Sequence, residues 1–275
     1  MRVAKAETTK ATKKSPSKTS RKGALPEVVF LHGLGGSSAD WGKLLEKLEG
    51  RYRTVVPELP GSSLAPARFA SYRLDALAVW LADALAREGV GRAHLVAHSF
   101  GGRLAGELVA RAPDRFASLL LVAPLGAAGY SLIDRLKWKA MSRTTILRSV
   151  PEAQMRRALS YGFVVDGPGK AGFVERALAA RTGPQGALTA EAIERCVDGV
   201  LGAPPLTDRL RTSTLPLGVV TGGKDPLVPS GEAEEIVKAR KDVQLFKLPG
   251  QGHYPMLDDP KGMARLVERF LDSIA

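Results

Sequence analysis

Apolar positions along the chain follow two alternating rhythms. Val28-Val29-Phe30-Leu31 is a short unbroken run rich in β-branched residues, the pattern of a strand buried on both faces. Trp41, Leu44, Leu45 and Leu48 then fall at i, i+3, i+4 and i+7, one face of a helix. Thr54-Val55-Val56 reads as a second strand, stopped by Pro57 and by Pro60-Gly61. Leu74, Leu77, Ala78, Leu81 and Leu85 mark a second helix, and His94 to Ala97 a third strand. A helix follows Ser99, turns Leu104, Leu108 and Val109 inward, and ends before Pro113. Leu119 to Val122 is a fourth strand.

The rhythm changes after Gly126. Up to residue 214 the pattern is helical, broken at Gly167-Pro168-Gly169, Gly183-Pro184 and Pro204-Pro205. Strands return at Leu217–Val220 and Val243–Leu248, and a last helix buries Met263, Leu266, Val267 and Phe270. Alternating strands and helices predict an α/β fold, a mostly parallel sheet with helices on both faces. The expected layout is a sheet of six core strands formed by residues 25–125 and 215–275, with 126–214 inserted after the fourth strand as a helical cap.

Composition adds exclusions. The 275 residues carry a formal charge of +12, but residues 1–24 hold eight basic groups against Glu7 alone. That Lys/Ser/Thr-rich stretch offers too little apolar surface to offset ordering, so it reads as a disordered basic tail. A solvated tail is the plain reading. Transient nucleic-acid contact and an organelle transit peptide are the alternatives, and the dominance of Lys over Arg weakens the second. The single cysteine, Cys196, rules out an intrachain disulfide, a Cys₄ zinc site and a CxxC redox pair. No Asn is present, which removes N-glycosylation. With no apolar run of membrane-spanning length and no secretory signal, the expected location is cytoplasmic.

The chemistry concentrates at four places, each at the end of a predicted strand. Ala97-His98-Ser99-Phe100-Gly101-Gly102 joins the third strand to its helix. A serine hydroxyl becomes a nucleophile only beside a base, and a sharp turn is needed to project it from the sheet. The plain alternative is an N-cap serine. His32-Gly33-Leu34-Gly35-Gly36 ends the first strand, where the amides of Leu34 and Phe100 could form an oxyanion hole. A phosphate cradle is the alternative there, but the full GxGxxG fingerprint is missing. Asp225, in Gly222-Gly223-Lys224-Asp225-Pro226, and His253, in Gly250-Gln251-Gly252-His253, follow the fifth and sixth strands. Open α/β sheets place their sites at such carboxyl ends.

In this combination and order the chain resembles the α/β-hydrolase superfamily, from Glu27 to Ala275. The resemblance implies a Ser99 nucleophile, an Asp225 acid and a His253 base, with a helical lid after the fourth strand. Two positions depart from the pattern: Ala97 replaces the usual first elbow glycine, and Glu58-Leu59-Pro60-Gly61 stands where an Asp-containing turn is common. The implied activity is cofactor-free serine hydrolysis of a carboxylic ester, with no catalytic metal. Thioester hydrolysis, C–C bond hydrolysis, acyl transfer and cofactor-free peroxidation would use the same triad, and a non-catalytic binding protein could reuse the fold.

Other polar residues read as structural. His94 is a satisfied strand histidine, His98 should point away from Ser99, and His32 should brace the oxyanion loop. Asp258 and Asp259 are expected to start the last helix. Cys196 is expected to be a small buried apolar residue. Tyr130, Leu132, Ile133, Leu136, Trp138, Tyr161, Phe163 and Phe173 are candidates to line an apolar pocket. They favour a small substrate with a medium-sized hydrophobic or aromatic acyl group.

Overall fold

The computed structural model describes residues 25–64 and 68–274. The predicted basic tail, 1–24, lies outside them. Six strands form one sheet: β1 (Glu27–Leu31), β2 (Arg53–Val55), β3 (Ala93–His98), β4 (Phe116–Val122), β5 (Leu217–Gly222) and β6 (Gln244–Leu248). Their order is β2-β1-β3-β4-β5-β6, and all neighbours are parallel.

Parallel strands need crossover helices, and these cover both faces. Side chains of one strand alternate between two apolar clusters. Val29, Leu31, Leu95, Ala97, Leu119 and Leu121 meet α2 (Leu74–Arg87) and α3 (Phe100–Arg111). Their neighbours Val28, Phe30, Val96, Leu120 and Val122 meet Trp41, α1 (Gly42–Leu48) and the C-terminal helix. That is why the central strands read as unbroken apolar runs. The edge strand β6 is only half-buried.

The helix expected from Trp41 begins as one 3₁₀ turn, Ser38–Trp41, before α1. The insertion expected after the fourth strand is present as six helices. They are α4 (Leu132–Ser142), α5 (Thr144–Ser149), α6 (Glu152–Ser160), α7 (Pro168–Thr182), α8 (Gly186–Gly202) and α9 (Leu206–Leu210). The core resumes with β5, α10 (Ser230–Ala239), β6, α11 (Pro255–Asp258) and α12 (Pro260–Asp272). Among the described residues no helix is long and apolar enough to cross a membrane.

Asp259 does cap α12, accepting the Gly262 amide at 2.8 Å. Asp258 departs from expectation. It ends α11, and its carboxylate accepts the Val164 and Val165 amides of the insertion at 3.2 and 3.3 Å. Four peptide donors and acceptors would otherwise be orphaned at each helix end, but a loop amide has the same need and here it captures the carboxylate.

Two contacts fix the loop after β1. His32 donates from Nδ1 to the Gly33 carbonyl at 2.8 Å and accepts the Leu59 amide on Nε2 at 2.9 Å. Glu58 accepts the Ser38 amide at 3.1 Å and the Ser62 hydroxyl. Burial opposes its ionisation, yet the adjacent His32 ring and the hydrogen bonds from Ser38 and Ser62 outweigh it and hold Glu58 down to about 2. So the Glu58 turn is tied to the start of the 3₁₀ turn that follows the β1 loop.

Two predictions follow from this packing. Glu58 titrates lower in the folded chain than its ordinary 4.5. Its stabilisation is therefore full above that value and is lost as pH falls toward about 2. Glu58→Gln should lower stability by on the order of 1–2 kcal/mol at neutral pH and flatten the acid limb, read from urea midpoints against pH. Gly101 tests the strand–helix crossing, since a Cβ there would lie 2.5 Å from the His32 carbonyl oxygen and 2.8 Å from that of Leu31. Gly101→Ala should cost about 1–3 kcal/mol in thermal melts. Gly42→Ala, where a Cβ meets nothing within 4 Å, should be near neutral.

Candidate active site

Ser99 sits between the last residue of β3 and the first of α3, with φ 51° and ψ −116°. Positive φ in a residue with a Cβ is strained, at a cost of roughly 1–3 kcal/mol. An N-cap serine keeps extended backbone angles and bonds the first helical amides. Ser99 does neither, so the capping alternative fails. The turn is held from below by the Ser99 amide, which donates to the Val122 carbonyl at 2.9 Å. Ser99 itself is only 8% exposed.

Asp225 and His253 meet. The imidazole Nδ1 and the carboxylate Oδ2 are 2.8 Å apart, both side chains buried. The other oxygen, Oδ1, accepts the amides of Leu227 at 2.8 Å and Val228 at 2.9 Å. Three donors therefore orient one carboxylate, which fixes the imidazole with Nδ1 protonated and Nε2 free to accept. The backbone of His253 is clamped as well. Its amide donates to the Gly162 carbonyl at 2.7 Å, and its carbonyl accepts His98 Nε2–H at 2.9 Å.

The oxyanion candidates follow from peptide geometry. The Gly33 carbonyl is taken by the Gly36 amide at 3.1 Å and by His32 Nδ1. In a trans peptide the Leu34 N–H points the opposite way. Gly33 adjoins the nucleophile candidate, since a Cβ on it would lie 3.4 Å from Ser99 Cβ and 2.8 Å from His98 Nδ1. Phe100 is the first residue of α3, so its amide has no partner one turn back.

The insertion roofs this cluster. Arg176 of α7 bonds Asp40 at 2.8 Å, just after the oxyanion loop. An apolar cavity of about 130 Å³ lies between α7 and α8, walled by Leu34, Met155, Leu159, Phe173, Ala177 and Ile193. Of the pocket candidates read from sequence, Phe173 lines it, while Tyr130 and Trp138 border a smaller void beside Leu34 and Phe100. Phe163 stacks on Tyr254. Leu132, Ile133, Leu136 and Tyr161 do not line a pocket. They face solvent, because α4 packs on α8 through its other side and Tyr161 lies at the end of α6. A wider groove of about 520 Å³ contains none of the triad residues, and its Arg73, Arg111, Arg195 and Arg209 are already paired with acids.

The remaining polar candidates are structural. His94 Nδ1 lies 2.8 Å from the Ser118 hydroxyl. Cys196 is fully buried, and burial pushes its thiol up. Sequence reasoning missed Gly162, which packs so closely that a Cβ would lie 2.9 Å from His253 Cβ. It missed Asp40 and Arg176 too. Neither has a local signal, since each acts across more than a hundred residues of chain.

Comparison with known proteins agrees with this fold. Over 91% of this chain and 97% of its own length, a pimeloyl-[acyl-carrier protein] methyl ester esterase of Aeromonas salmonicida is 28% identical. The crystal structure of a membrane phospholipase A matches with a TM-score of 0.76 and 26% identity, over 91% of this chain and 79% of that one. A thermophilic esterase from Thermogutta terrifontis shares the fold, with a TM-score of 0.79, 21% identity and coverage of 92% and 91%. The sequence profile of the alpha/beta hydrolase family matches residues 28–266, nearly the whole of the described fold, and the chain belongs to that family of hydrolase enzymes.

Proposed function

We propose that this chain is a cofactor-free serine hydrolase of carboxylic esters with an apolar acyl group, and that residues 126–214 serve as its cap. The observation that carries the reading is the 2.8 Å His253–Asp225 contact, made past the carboxyl ends of β5 and β6 on the same edge of the sheet as the strained Ser99 turn. Similarity to an acyl methyl ester esterase supports an ester substrate.

His253 Nε2 takes the Ser99 Oγ proton as the oxygen attacks the ester carbonyl carbon. The carbonyl oxygen becomes an oxyanion, held by the Leu34 and Phe100 amides, each donor contributing roughly 2.7–4 kcal/mol. The tetrahedral intermediate collapses, the ester C–O bond breaks, and His253 returns the proton to the departing alkoxide. Water then enters, gives its proton to His253, and attacks the acyl-enzyme carbonyl. Collapse releases the acid and restores the Ser99 hydroxyl. Asp225 stabilises the imidazolium in both halves.

The acyl chain has an apolar destination next to the oxyanion loop, because Leu34 walls the 130 Å³ cavity. The one charged residue in its lining, Arg181, is engaged by the Leu147, Arg148 and Val150 carbonyls, so a charged acyl group would lose its hydration there at a cost.

A fluorophosphonate probe should label Ser99, located by peptide mass spectrometry. Ser99→Ala and His253→Ala should abolish labelling and lower kcat by about 10⁴–10⁶-fold with the fold intact. Asp225→Asn should lower kcat by about 10³–10⁴-fold, since it leaves the imidazole without its orienting charge. Full labelling and turnover in Ser99→Ala would sink the assignment. Ala177→Phe should shrink the cavity. It should reduce kcat/KM for longer acyl esters at least about tenfold more than for acetate esters.

A further inference from the structure

Helix α4 is turned inside out. Apolar residues on a surface helix ordinarily face the core. Here Leu132, Ile133 and Leu136 are 72%, 64% and 60% exposed. With Ala140, also exposed, they fall at i, i+1, i+4 and i+8 and form one outward stripe. The inner side of the helix holds Trp138 and the buried Ser142, about half a turn away from that stripe. Trp138 is half-buried against the small void shared with Leu34 and Phe100.

The charges around the stripe have one sign. Arg135, Lys137, Lys139 and Arg143 are all exposed, and Arg148 follows on α5. The sole acid of residues 130–150, Asp134, is engaged with Ser131 at the N-cap. Of the basic groups, Lys139 has a partner, Asp198, at 3.6 Å. An apolar stripe bordered by Lys and Arg matches the boundary of an anionic bilayer, where acyl chains lie beneath negative headgroups. A second copy of this chain is a poor occupant, because face-to-face contact would oppose two basic rims.

We propose that the α4 face is a docking surface for anionic lipid, placing the cap at the membrane–water boundary from which apolar acyl esters are drawn. The choice of a lipid surface over an acidic protein rests on the acyl-ester reading above, because an apolar acyl substrate concentrates in a bilayer. Docking presses on the outer side of the helix whose inner side carries Trp138, next to the two oxyanion residues. The surface and the site are thus two faces of one helix.

The test uses the full chain, so that the basic residues 1–24 are present throughout. Sedimentation with vesicles of phosphatidylcholine and phosphatidylglycerol in a two-to-one ratio gives a partition coefficient at about 0.15 M salt, where long-range attraction is screened. Combining Leu132→Ser, Ile133→Ser and Leu136→Ser should weaken partitioning about tenfold or more, with hydrolysis of a short water-soluble ester and the melting temperature unchanged. Cys196 is buried, so a thiol-reactive, polarity-sensitive dye on Ala140→Cys reports on α4 alone. Its emission should shift to the blue on the mixed vesicles and not on pure phosphatidylcholine. This label keeps the question answerable if the triple variant misfolds.

Unchanged partitioning of a folded triple variant would show that the basic tail or another face binds, and would overturn the proposal. So would an unshifted label, or self-association of the wild type that the triple variant loses. Loss of Ser99 probe labelling with vesicle binding intact would overturn the hydrolase reading and leave the docking surface standing.

Discussion

The site depends on one steric constraint: α3 must leave β3 against the end of β1. At Gly101 the approach is so close that a Cβ would sit inside contact distance of two backbone carbonyl oxygens. A helix can begin there only if the chain turns sharply at the preceding residues, and the turn forces Ser99 to positive φ. The same crossing brings Gly33 against Ser99 and His98. The Ser99 turn and the Gly33–Gly36 loop are therefore one packing solution. Ala97 fits because the tightest contact falls at Gly101, on the helix side of the turn. The strain is offset by the cores on the two sheet faces, which lock β1, β3 and β4 in register.

Beside the His253–Asp225 pair lies a second histidine. His98 is buried, with its ring 4.7 Å from that of His253. Burial, and next the neighbouring His253, hold it well below the usual histidine range. It therefore stays neutral, keeps Nε2–H as a donor, and gives that proton to the His253 carbonyl. Two imidazolium ions at that separation would repel strongly in a dry site. The burial of His98 thus keeps an uncharged ring beside that of His253.

What was legible in the sequence was local or topological. Strands buried on both faces announce themselves as apolar runs, and the turn after β3 carries its own Ser, Phe and two glycines. Asp225 and His253 were legible because strand ends converge in a parallel sheet, so their distance in sequence did not hide their meeting. The insertion was legible as helical and no further. Periodicity reports that a helix has an apolar stripe, not what the stripe meets. Leu132, Ile133 and Leu136 read as pocket lining for that reason, although α4 sits on α8 by its opposite side. The Gly162–His253 and Arg176–Asp40 contacts had no local signal, since each pairs an insertion residue with a remote core loop.

The insertion is not uniform in its attachment, and this bears on how substrate reaches a serine only 8% exposed. From α8, Ala192, Cys196 and Val200 belong to the main core, as do Leu206 and Leu210 of α9. Moving these helices would open the principal apolar cluster. Phe173, Val174 and Leu178 of α7 instead form a small cluster of their own with Met155 and Leu159 of α6, touching the core at Tyr254 and Leu257. Beside the stacking of Phe163 on Tyr254, polar ties hold that side: Arg176 to Asp40, Asp258 to the Val164 and Val165 amides, and the Gly162 carbonyl to the His253 amide. Water can replace such bonds at a net cost of about 1 kcal/mol each, whereas every core side chain exposed costs about 1.5–3 kcal/mol. The 130 Å³ apolar cavity lies between these two unequal walls. Displacing α6 and α7 is therefore cheaper than displacing α8, and it would carry Gly162 away from His253.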